Sequence, residues 1–227
     1  MTRFDQLCLR AAEAGLAVRG AFHPKPGELD GGFSSALTVV LLGFTGGLQW
    51  EYFVRAPETR DGLPDPLDRW SRRVIGSLAH QFDAFDVYPS GTPAAPLPFQ
   101  RLALRCEPVH PSPIGLLIHP KWGLWHAYRG ALLLPHVVEL PPPVSGVRPC
   151  ASCETRPCLS ACPVDAFRHD GFELEACVEH VRSDAGRDCR EHGCLARRAC
   201  PVAAEFRYGD DQARFHMQAF LQSCHPH

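Results

Sequence analysis

The chain has 227 residues and a mass of 25.1 kDa, which is enough for one large domain or two small ones. Apolar residues make up 45% and charged residues 21%, so the composition excludes a disordered or low-complexity protein. The formal net charge of −2 lacks the basic excess of proteins that bind nucleic acid by neutralising phosphate, and a nucleic-acid partner is not favoured.

Neither the N-terminus nor any apolar run predicts targeting or membrane insertion. The N-terminus carries Asp5 and Glu13 and has no long apolar core, unlike a secretory signal. The longest largely apolar stretches, residues 36–44 and 131–138, are shorter than the roughly 18 residues of a membrane span. We therefore expect a cytoplasmic protein with no membrane partner, in which clustered cysteines are metal ligands rather than disulfides.

The first third of the chain predicts one helix and two strands. Apolar residues recur at helical spacing over residues 3–16, and residues 18–22 predict a short strand. Residues 35–44 (SALTVVLLGF) are almost continuously apolar, which predicts a buried central strand. Gly46 and Gly47 follow. Because no lysine completes a P-loop, they favour a simple turn over a loop that cradles phosphate.

The middle of the chain predicts a long core helix beginning at Asp65-Pro66, because Asp can cap a helix and Pro suits its first position. The apolar side chains that follow at helical spacing are Leu67, Trp70, Val74, Leu78 and Phe82. Residues 85–88 predict a strand, residues 89–98 a proline-rich loop, and residues 99–106 a further helix.

Two more strands are predicted before the clearest linker. Residues 115–119 and 124–134 have strand character, and a hairpin turn at residues 121–123 would join them. The run Pro141-Pro142-Pro143 then marks a domain boundary. It separates an α+β domain from a cysteine-rich domain.

Cysteine is the most informative residue type, since the chain has 11 and eight of them lie between Cys150 and Cys200. The first group, CASCETRPCLSACP, has the spacing C-x2-C-x4-C-x3-C-P, two residues longer than the bacterial ferredoxin run between its second and third cysteines. The second group is looser, with Cys177 followed by Cys189-x4-Cys194-x5-Cys200-Pro201, but it ends in the same Cys-Pro. Eight cysteines with two such endings are what two 4Fe–4S clusters need.

The Cys-Pro endings also predict how the ligands divide. In two-cluster ferredoxins the cysteine before the proline binds the other cluster. One predicted cluster therefore takes Cys150, Cys153, Cys158 and Cys200. The other takes Cys162, Cys177, Cys189 and Cys194, with Cys177 and Cys189 the least constrained by spacing. The isolated cysteines, predicted to be ordinary thiols, are Cys8, Cys106 and Cys224.

A pair of tetrahedral zinc sites is the alternative for the same thiols. Cys150-x2-Cys153 would serve zinc, but zinc ribbons pair one C-x2-C with a second, which the sequence lacks. Zinc also gives no reason for a Cys-Pro ending. The spacing favours clusters.

With this cysteine order the chain resembles the short relatives of epoxyqueuosine reductases and reductive dehalogenases. The segments that carry the resemblance are CASCETRPCLSACPVDAF, then LEACVEH, and a final ACP. The resemblance implies a cobalamin-dependent redox enzyme of α+β class. Residues 1–143 would form a nitroreductase-like α/β domain, and residues 144–227 a bacterial ferredoxin-like domain with two 4Fe–4S clusters.

A second resemblance lies upstream of the cysteines. The segment HPKWGLWHAYRG and its flanks resemble the cobalamin-trafficking proteins that remove the upper ligand of cobalamin, in which the matching backbone lines the corrin. Carried over by position, the cofactor-binding residues would be Pro113, Ile114 and Gly115 from one strand and His126, Ala127 and Tyr128 from the next.

The chain departs from the epoxyqueuosine reductases in two ways. Those enzymes have an acidic proton donor ahead of a glycine-rich segment, and Glu107 is the nearest carboxylate here. The sequence ends soon after Cys200, without the C-terminal repeat domain that helps those enzymes hold tRNA, so we expect no tRNA substrate.

Single residues of the upstream segment allow two interpretations. His119 and His126 could face a cofactor, or they could be hydrogen-bonded, half-buried histidines, which is the more common case. Arg129 could bind a phosphate or propionamide group, or pair with a surface acid.

The sequence thus predicts an oxidoreductase that passes electrons through two 4Fe–4S clusters to a cobalamin, for corrinoid reduction, upper-ligand processing or corrinoid-dependent reduction. Its partners would be an electron-donor protein or reductase and a corrinoid or small-molecule substrate. One alternative is a ferredoxin-type electron carrier without cobalamin, in which the N-terminal domain is a docking or flavin-binding scaffold. Another is a zinc-stabilised interaction module.

Overall fold

A computed structural model gives the fold of two compact units. The residues that it describes are 1–29, 33–89 and 97–224. Unit 1 comprises Met1–Pro108 and His126–Ser145. Unit 2 comprises Val109–Trp125 and Gly146–His227, so it takes in a segment from the middle of the sequence as well as the cysteine-rich region.

Short strands and helices follow one another along the described residues. The strands are β1 (Ala17–Phe22), β2 (Thr38–Thr45), β3 (Phe85–Val87), β4 (His110–Pro111), β5 (Leu117–Ile118), β6 (His126–Leu134), β7 (Phe167–Arg168) and β8 (Gly171–Phe172). The helices are α1 (Arg3–Glu13), α2 (Trp50–Val54), α3 (Pro66–Phe82), α4 (Phe99–Cys106), α5 (Pro157–Ser160), α6 (Leu174–Arg182), α7 (Arg187–His192), α8 (Leu195–Arg198) and α9 (Asp210–Ser223). Short 3₁₀ turns lie at Pro57–Thr59, Pro149–Ala151 and Ala204–Phe206.

Unit 1 is built on a four-stranded antiparallel sheet with the order β1-β2-β6-β3. Every residue of β2 is buried, and so are the last five residues of β6. This burial confirms the prediction of a central strand from the apolar run at residues 35–44, since a strand covered on both faces needs no polar alternation. The glycines after β2 form a turn, as predicted.

A β-bulge interrupts the pairing of the two central strands. Leu42 lies opposite Gly130 and Gly43 opposite Tyr128, which leaves Arg129 as the extra residue. A Cβ atom on Gly43 would lie 1.9 Å from the carbonyl oxygen of Ala127. Only glycine permits this approach, and the bulge redirects the side chains at the start of β6.

Helix α3 begins where the sequence predicted, but not by the predicted means. Pro66 occupies the first helical position and the apolar stripe is buried. Asp65 has a left-handed backbone with φ 52° and its side chain makes no capping hydrogen bond, so its predicted role as a cap was wrong. Helix α1, by contrast, starts with a reciprocal capping box between Thr2 and Asp5.

The predicted hairpin around residues 121–123 was wrong. Strand β5 pairs with β4, whereas β6 pairs with β2 and β3. The turn itself is closed by one isolated bridge, in which His119 and Gly123 exchange backbone hydrogen bonds of 2.8 Å. Gly123 has φ 57°, and a Cβ atom there would lie 2.3 Å from the carbonyl oxygen of Val202. The turn therefore packs within unit 2 instead of continuing into the sheet.

Most of the predicted proline-rich loop at 89–98 lies outside the described residues. Within the described ranges, no helix has the length and apolar character to cross a membrane.

Candidate functional site

The eight clustered cysteines all lie in unit 2, and all carry free thiols. Short helical elements carry or flank most of them. Cys150 lies in a 3₁₀ turn, Cys158 in α5, Cys177 in α6 and Cys189 in α7, while Cys194 and Cys200 flank α8. Ile114, Ile118 and Leu124 pack with Cys158 and Cys200 in this centre.

The first group of mutually interacting thiols surrounds Cys150. Burial raises the pKa of Cys150 above its ordinary value. Beyond burial, the thiolates that raise this pKa further belong to Cys200, Cys158 and Cys153. Cys200, distant in sequence, thus acts on a thiol of the first cysteine group.

The second group surrounds Cys177. Burial raises the pKa of Cys177 to about 11. The thiolates that raise it further belong to Cys194, Cys162, Cys189 and Cys224. Cys224, which the sequence left as an isolated thiol, is thus among the thiols that act on Cys177.

Backbone N–H groups point at several of these sulfurs. The amide nitrogen of Ala166 lies 3.3 Å from Cys162 Sγ. Burial raises the pKa values of Cys189, Cys194 and Cys200, and backbone hydrogen bonds to the sulfurs oppose each rise. The donors are Leu195 for Cys189, Arg197 and Ala196 for Cys194, and Val202 for Cys200. Hydrogen bonds of this kind tune the potential of iron–sulfur clusters. Which amides supply them could not be predicted from the cysteine spacing.

The donors present fit iron–sulfur clusters. Eight clustered thiols, buried or half-buried and approached in part by backbone N–H groups, match the number of ligands that two cubanes need and the hydrogen bonds that cluster sulfurs accept. In a cubane the four thiolates bind four different irons. Among the side chains that the structure describes, no three His, Cys, Asp or Glu residues are grouped to hold a single metal ion.

The six residues carried over from the corrin-lining segment fall in different units. Pro113, Ile114 and Gly115 lie in the turn between β4 and β5 of unit 2, where the Ile114 side chain is buried. His126, Ala127 and Tyr128 begin β6 of unit 1. Each set of three residues therefore belongs to the fold of its own unit.

His119 is a hydrogen-bonded, buried histidine. Its Nδ1 accepts the backbone N–H of Lys121 at 3.0 Å and that of Trp122 at 3.3 Å. These bonds hold Nδ1 in its unprotonated form and fix the turn that follows β5. The simpler interpretation of this histidine is confirmed. The His126 ring stands edge-on to Tyr128, with 5.7 Å between ring centroids.

Glu107 belongs to a buried polar network in unit 1. The sequence singled out Glu107 and Tyr128 but not Arg19. The Arg19 and Glu107 side chains are only 0% and 4% exposed, and Arg19 Nη2 lies 2.9 Å from Glu107 Oε1. Arg19 also donates to the carbonyl oxygen of Phe44 at 2.7 Å, and Tyr128 Oη donates to Glu107 Oε2. Burial raises the pKa of Glu107, and the Arg19 charge opposes that rise.

Arg129 pairs with an acid, one of the two roles that the sequence allowed. Its guanidinium donates to Asp68 and, at 3.0 Å, to Ser71 Oγ, both on α3. A cavity of about 170 Å³ adjoins this pair. Tyr88 and Tyr128 also line it, so the bulge at Arg129 places two neighbouring side chains of β6 at one cavity.

Comparison with known proteins finds likeness in structure and not in sequence. No protein-family model and no curated protein matches the chain. Epoxyqueuosine reductase from Streptococcus thermophilus has 16% identity and a TM-score of 0.51, covering 89% of this chain and 66% of its own. Selenomethionine-labelled epoxyqueuosine reductase has 12% identity and a TM-score of 0.54, covering 93% of this chain and 68% of its own. A third structure, epoxyqueuosine reductase with an epoxyqueuosine-modified tRNA-Tyr stem loop, has 13% identity and a TM-score of 0.49.

These likenesses establish the fold of the chain. It is a mixed α/β fold with antiparallel sheets, similar to that of epoxyqueuosine reductase. The chain spans about two thirds of the length of these structures.

Proposed function

We propose that the protein is an iron–sulfur oxidoreductase with two 4Fe–4S clusters in unit 2. The gathering of eight free thiols in unit 2, several of them packed against one apolar cluster and one approached by a backbone N–H, carries this proposal. Cys150, Cys153, Cys158 and Cys200 would hold one cluster, and Cys162, Cys177, Cys189 and Cys194 the other. The fold shared with epoxyqueuosine reductase supports the same function.

The clusters, when bound, supply one-electron transfer. The chain supplies the thiolates, each of which must lose its proton to become a ligand. The backbone N–H groups at Cys162, Cys189, Cys194 and Cys200 supply hydrogen bonds to the sulfurs. Because such bonds stabilise negative charge on sulfur, they favour the reduced state of a cluster.

We further propose that the electrons pass to a cobalamin held by a nitroreductase-like domain over residues 1–143, which a ferredoxin-like domain over residues 144–227 follows in the sequence. The backbone of Pro113, Ile114 and Gly115, and of His126, Ala127 and Tyr128, would line the corrin. The substrate would be a corrinoid or a small molecule, and the electrons would come from a donor protein. The net charge of −2 gives no support to a nucleic-acid partner.

Anaerobic reconstitution tests both parts of the proposal. Protein loaded with iron and sulfide and then passed through a desalting column with cobalamin should retain about eight irons, matching acid-labile sulfide, and cobalt. Iron and sulfide without cobalt would leave an electron carrier, for which flavin bands in the absorbance spectrum would favour the flavin-linked form. Zinc without sulfide would establish the zinc-stabilised module and overturn the proposal.

A further inference from the structure

Gln212 is a buried polar side chain without a hydrogen-bond partner. It lies in the first turn of α9 and is 1% exposed. Neither its Oε1 nor its Nε2 has a hydrogen bond to any residue in the described ranges. Native proteins pair such groups in most cases, because a buried amide that has lost its water and gained no partner is unfavourable. The unpaired amide therefore points to an acceptor that the described part of the polypeptide does not supply.

Helix α9 packs beside the second group of cysteines. It contacts α7, the helix that carries Cys189. At Gly193, next to Cys194, an added Cβ atom would lie 3.3 Å from the Cβ of Ala213, the neighbour of Gln212. Gln212 thus lies at the end of α9 that packs against the segment between Cys189 and Cys194.

The charged side chains around this end of α9 are already engaged. His192 Nδ1 lies 2.9 Å from Asp210 Oδ1. Arg198 donates to Asp188 and, at 3.1 Å, to the carbonyl oxygen of Gly193. Gln212 differs from these charged side chains, because its neutral amide has no acceptor among the described residues.

We propose that Gln212 donates a hydrogen bond from Nε2 to a sulfur of the cluster held by Cys162, Cys177, Cys189 and Cys194, and so raises the reduction potential of that cluster. The inference rests on the proposed function, because it needs the cluster. A reduced cluster carries one more negative charge than the oxidised cluster, so the N–H donor stabilises the reduced state more. Gln212 acts here as a positioning and tuning residue and not as a ligand.

Anaerobically reconstituted wild-type protein and two variants test the proposal. Gln212→Leu removes the amide and keeps a similar volume, and Gln218→Leu makes the same change at an exposed position of the same helix. Redox titration followed by electron paramagnetic resonance gives the midpoint potential of each cluster. In Gln212→Leu the reduced-to-oxidised ratio of one cluster at a fixed potential should fall about tenfold, which equals about 59 mV for one electron. The other cluster, and both clusters of Gln218→Leu, should keep their potentials.

Gln212→Met serves the same purpose if the leucine variant does not fold, since methionine is unbranched and fills irregular space. Unchanged potentials in a Gln212 variant with full iron content would overturn the inference and leave the clusters in place. A wild-type protein that takes up no iron and sulfide would instead overturn the proposed function, so the two failures are distinguishable.

Discussion

Arg19 shows what a single residue contributes to the interior of unit 1. A buried ion pair is stable only when hydrogen bonds satisfy the charges that have lost water. Here Arg19 bonds both Glu107 and the Phe44 carbonyl, and Tyr128 donates to the second oxygen of Glu107. The sequence marks Glu107 by its place before the upstream segment, but it cannot mark Arg19, whose partner is 88 residues away.

Replacing Arg19 should therefore be costly. Arg19→Met leaves the Glu107 carboxylate buried without its charge partner, and we expect a loss of about 3–5 kcal/mol in the free energy of unfolding. The matched control is Arg10→Met, which breaks an exposed pair with Glu13 and should cost less than about 1 kcal/mol. Urea unfolding followed by circular dichroism measures both. Equal losses in the two variants would show that the buried pair is not a strong contributor.

Cys106 gives a prediction for the pH dependence of stability. Burial raises the pKa of this thiol from 9.0 to about 12, and its Sγ donates to the carbonyl oxygen of Leu102. Since the folded chain holds the proton more tightly than the unfolded chain, this group stabilises the fold fully below pH 9. That contribution is lost as the pH rises toward 12. Thermal unfolding between about pH 8 and 11 should show a smaller fall for Cys106→Ala than for wild type. Parallel curves for the two proteins would contradict this assignment.

At the scale of elements, the β-bulge between β2 and β6 depends on one glycine. An alanine Cβ at Gly43 would lie 1.9 Å from the Ala127 carbonyl oxygen, inside contact distance with backbone. Gly43→Ala should therefore force the two strands apart and cost about 1–3 kcal/mol or more, the usual range for overpacking. Denaturant unfolding gives the loss. A variant as stable as wild type would mean that the bulge yields without cost.

Gly76 in α3 should respond in the opposite direction. The nearest atom to an added Cβ is Asp86 Oδ2, at 4.0 Å, so alanine fits without a clash. Because glycine in a helix interior has more conformational freedom to lose on folding, Gly76→Ala should stabilise the protein by about 0.5–1 kcal/mol. The midpoint of urea unfolding should rise at an unchanged slope. A fall would show that space around α3 is tighter than the static distance indicates.

The sequence correctly predicted those helices whose formation depends on residues close together along the chain. The apolar stripe of α3 and the helix at Phe99–Cys106 appear at the predicted places because helical spacing is a short-range signal. The hairpin failed because β5 pairs with β4, two residues that carry no strand pattern, while β6 pairs with β2 and β3. The partners of β6 are distant in sequence, so the local alternation of its side chains does not indicate them.

At the scale of the whole molecule, the run of prolines predicted a single domain boundary at 143/144. The structure instead gives unit 2 a second segment from earlier in the sequence, Val109–Trp125. Specific contacts hold that segment in the unit. The Arg197 guanidinium donates to the carbonyl oxygen of Leu124, and its Cζ lies 4.6 Å from the ring centroids of both Trp125 and Tyr208. An arginine held between two rings gains cation–π attraction, and nothing in the spacing of these residues along the chain indicates it.

The proposed division of the cysteines into two ligand sets crosses the two cysteine groups of the sequence. Serine variants test it directly. Cys200 lies in the second cysteine group of the sequence, yet its thiolate acts on Cys150 of the first. If the ligand sets cross, Cys200→Ser and Cys150→Ser should weaken the same cluster, and Cys162→Ser should weaken the other. In each variant the iron content should fall from about eight toward about four per chain, because one cubane loses a ligand.

Electron paramagnetic resonance of the reduced variants identifies which cluster remains. The signal that survives in Cys200→Ser should match that in Cys150→Ser and differ from that in Cys162→Ser. Cys106→Ser, which changes a thiol outside both sets, should retain the iron content and both signals of wild type. If Cys162→Ser instead matched Cys150→Ser and Cys200→Ser differed from both, each cluster would be bound by one sequence group. The crossed arrangement would then be wrong, because the cysteines that precede proline would stay with their own groups.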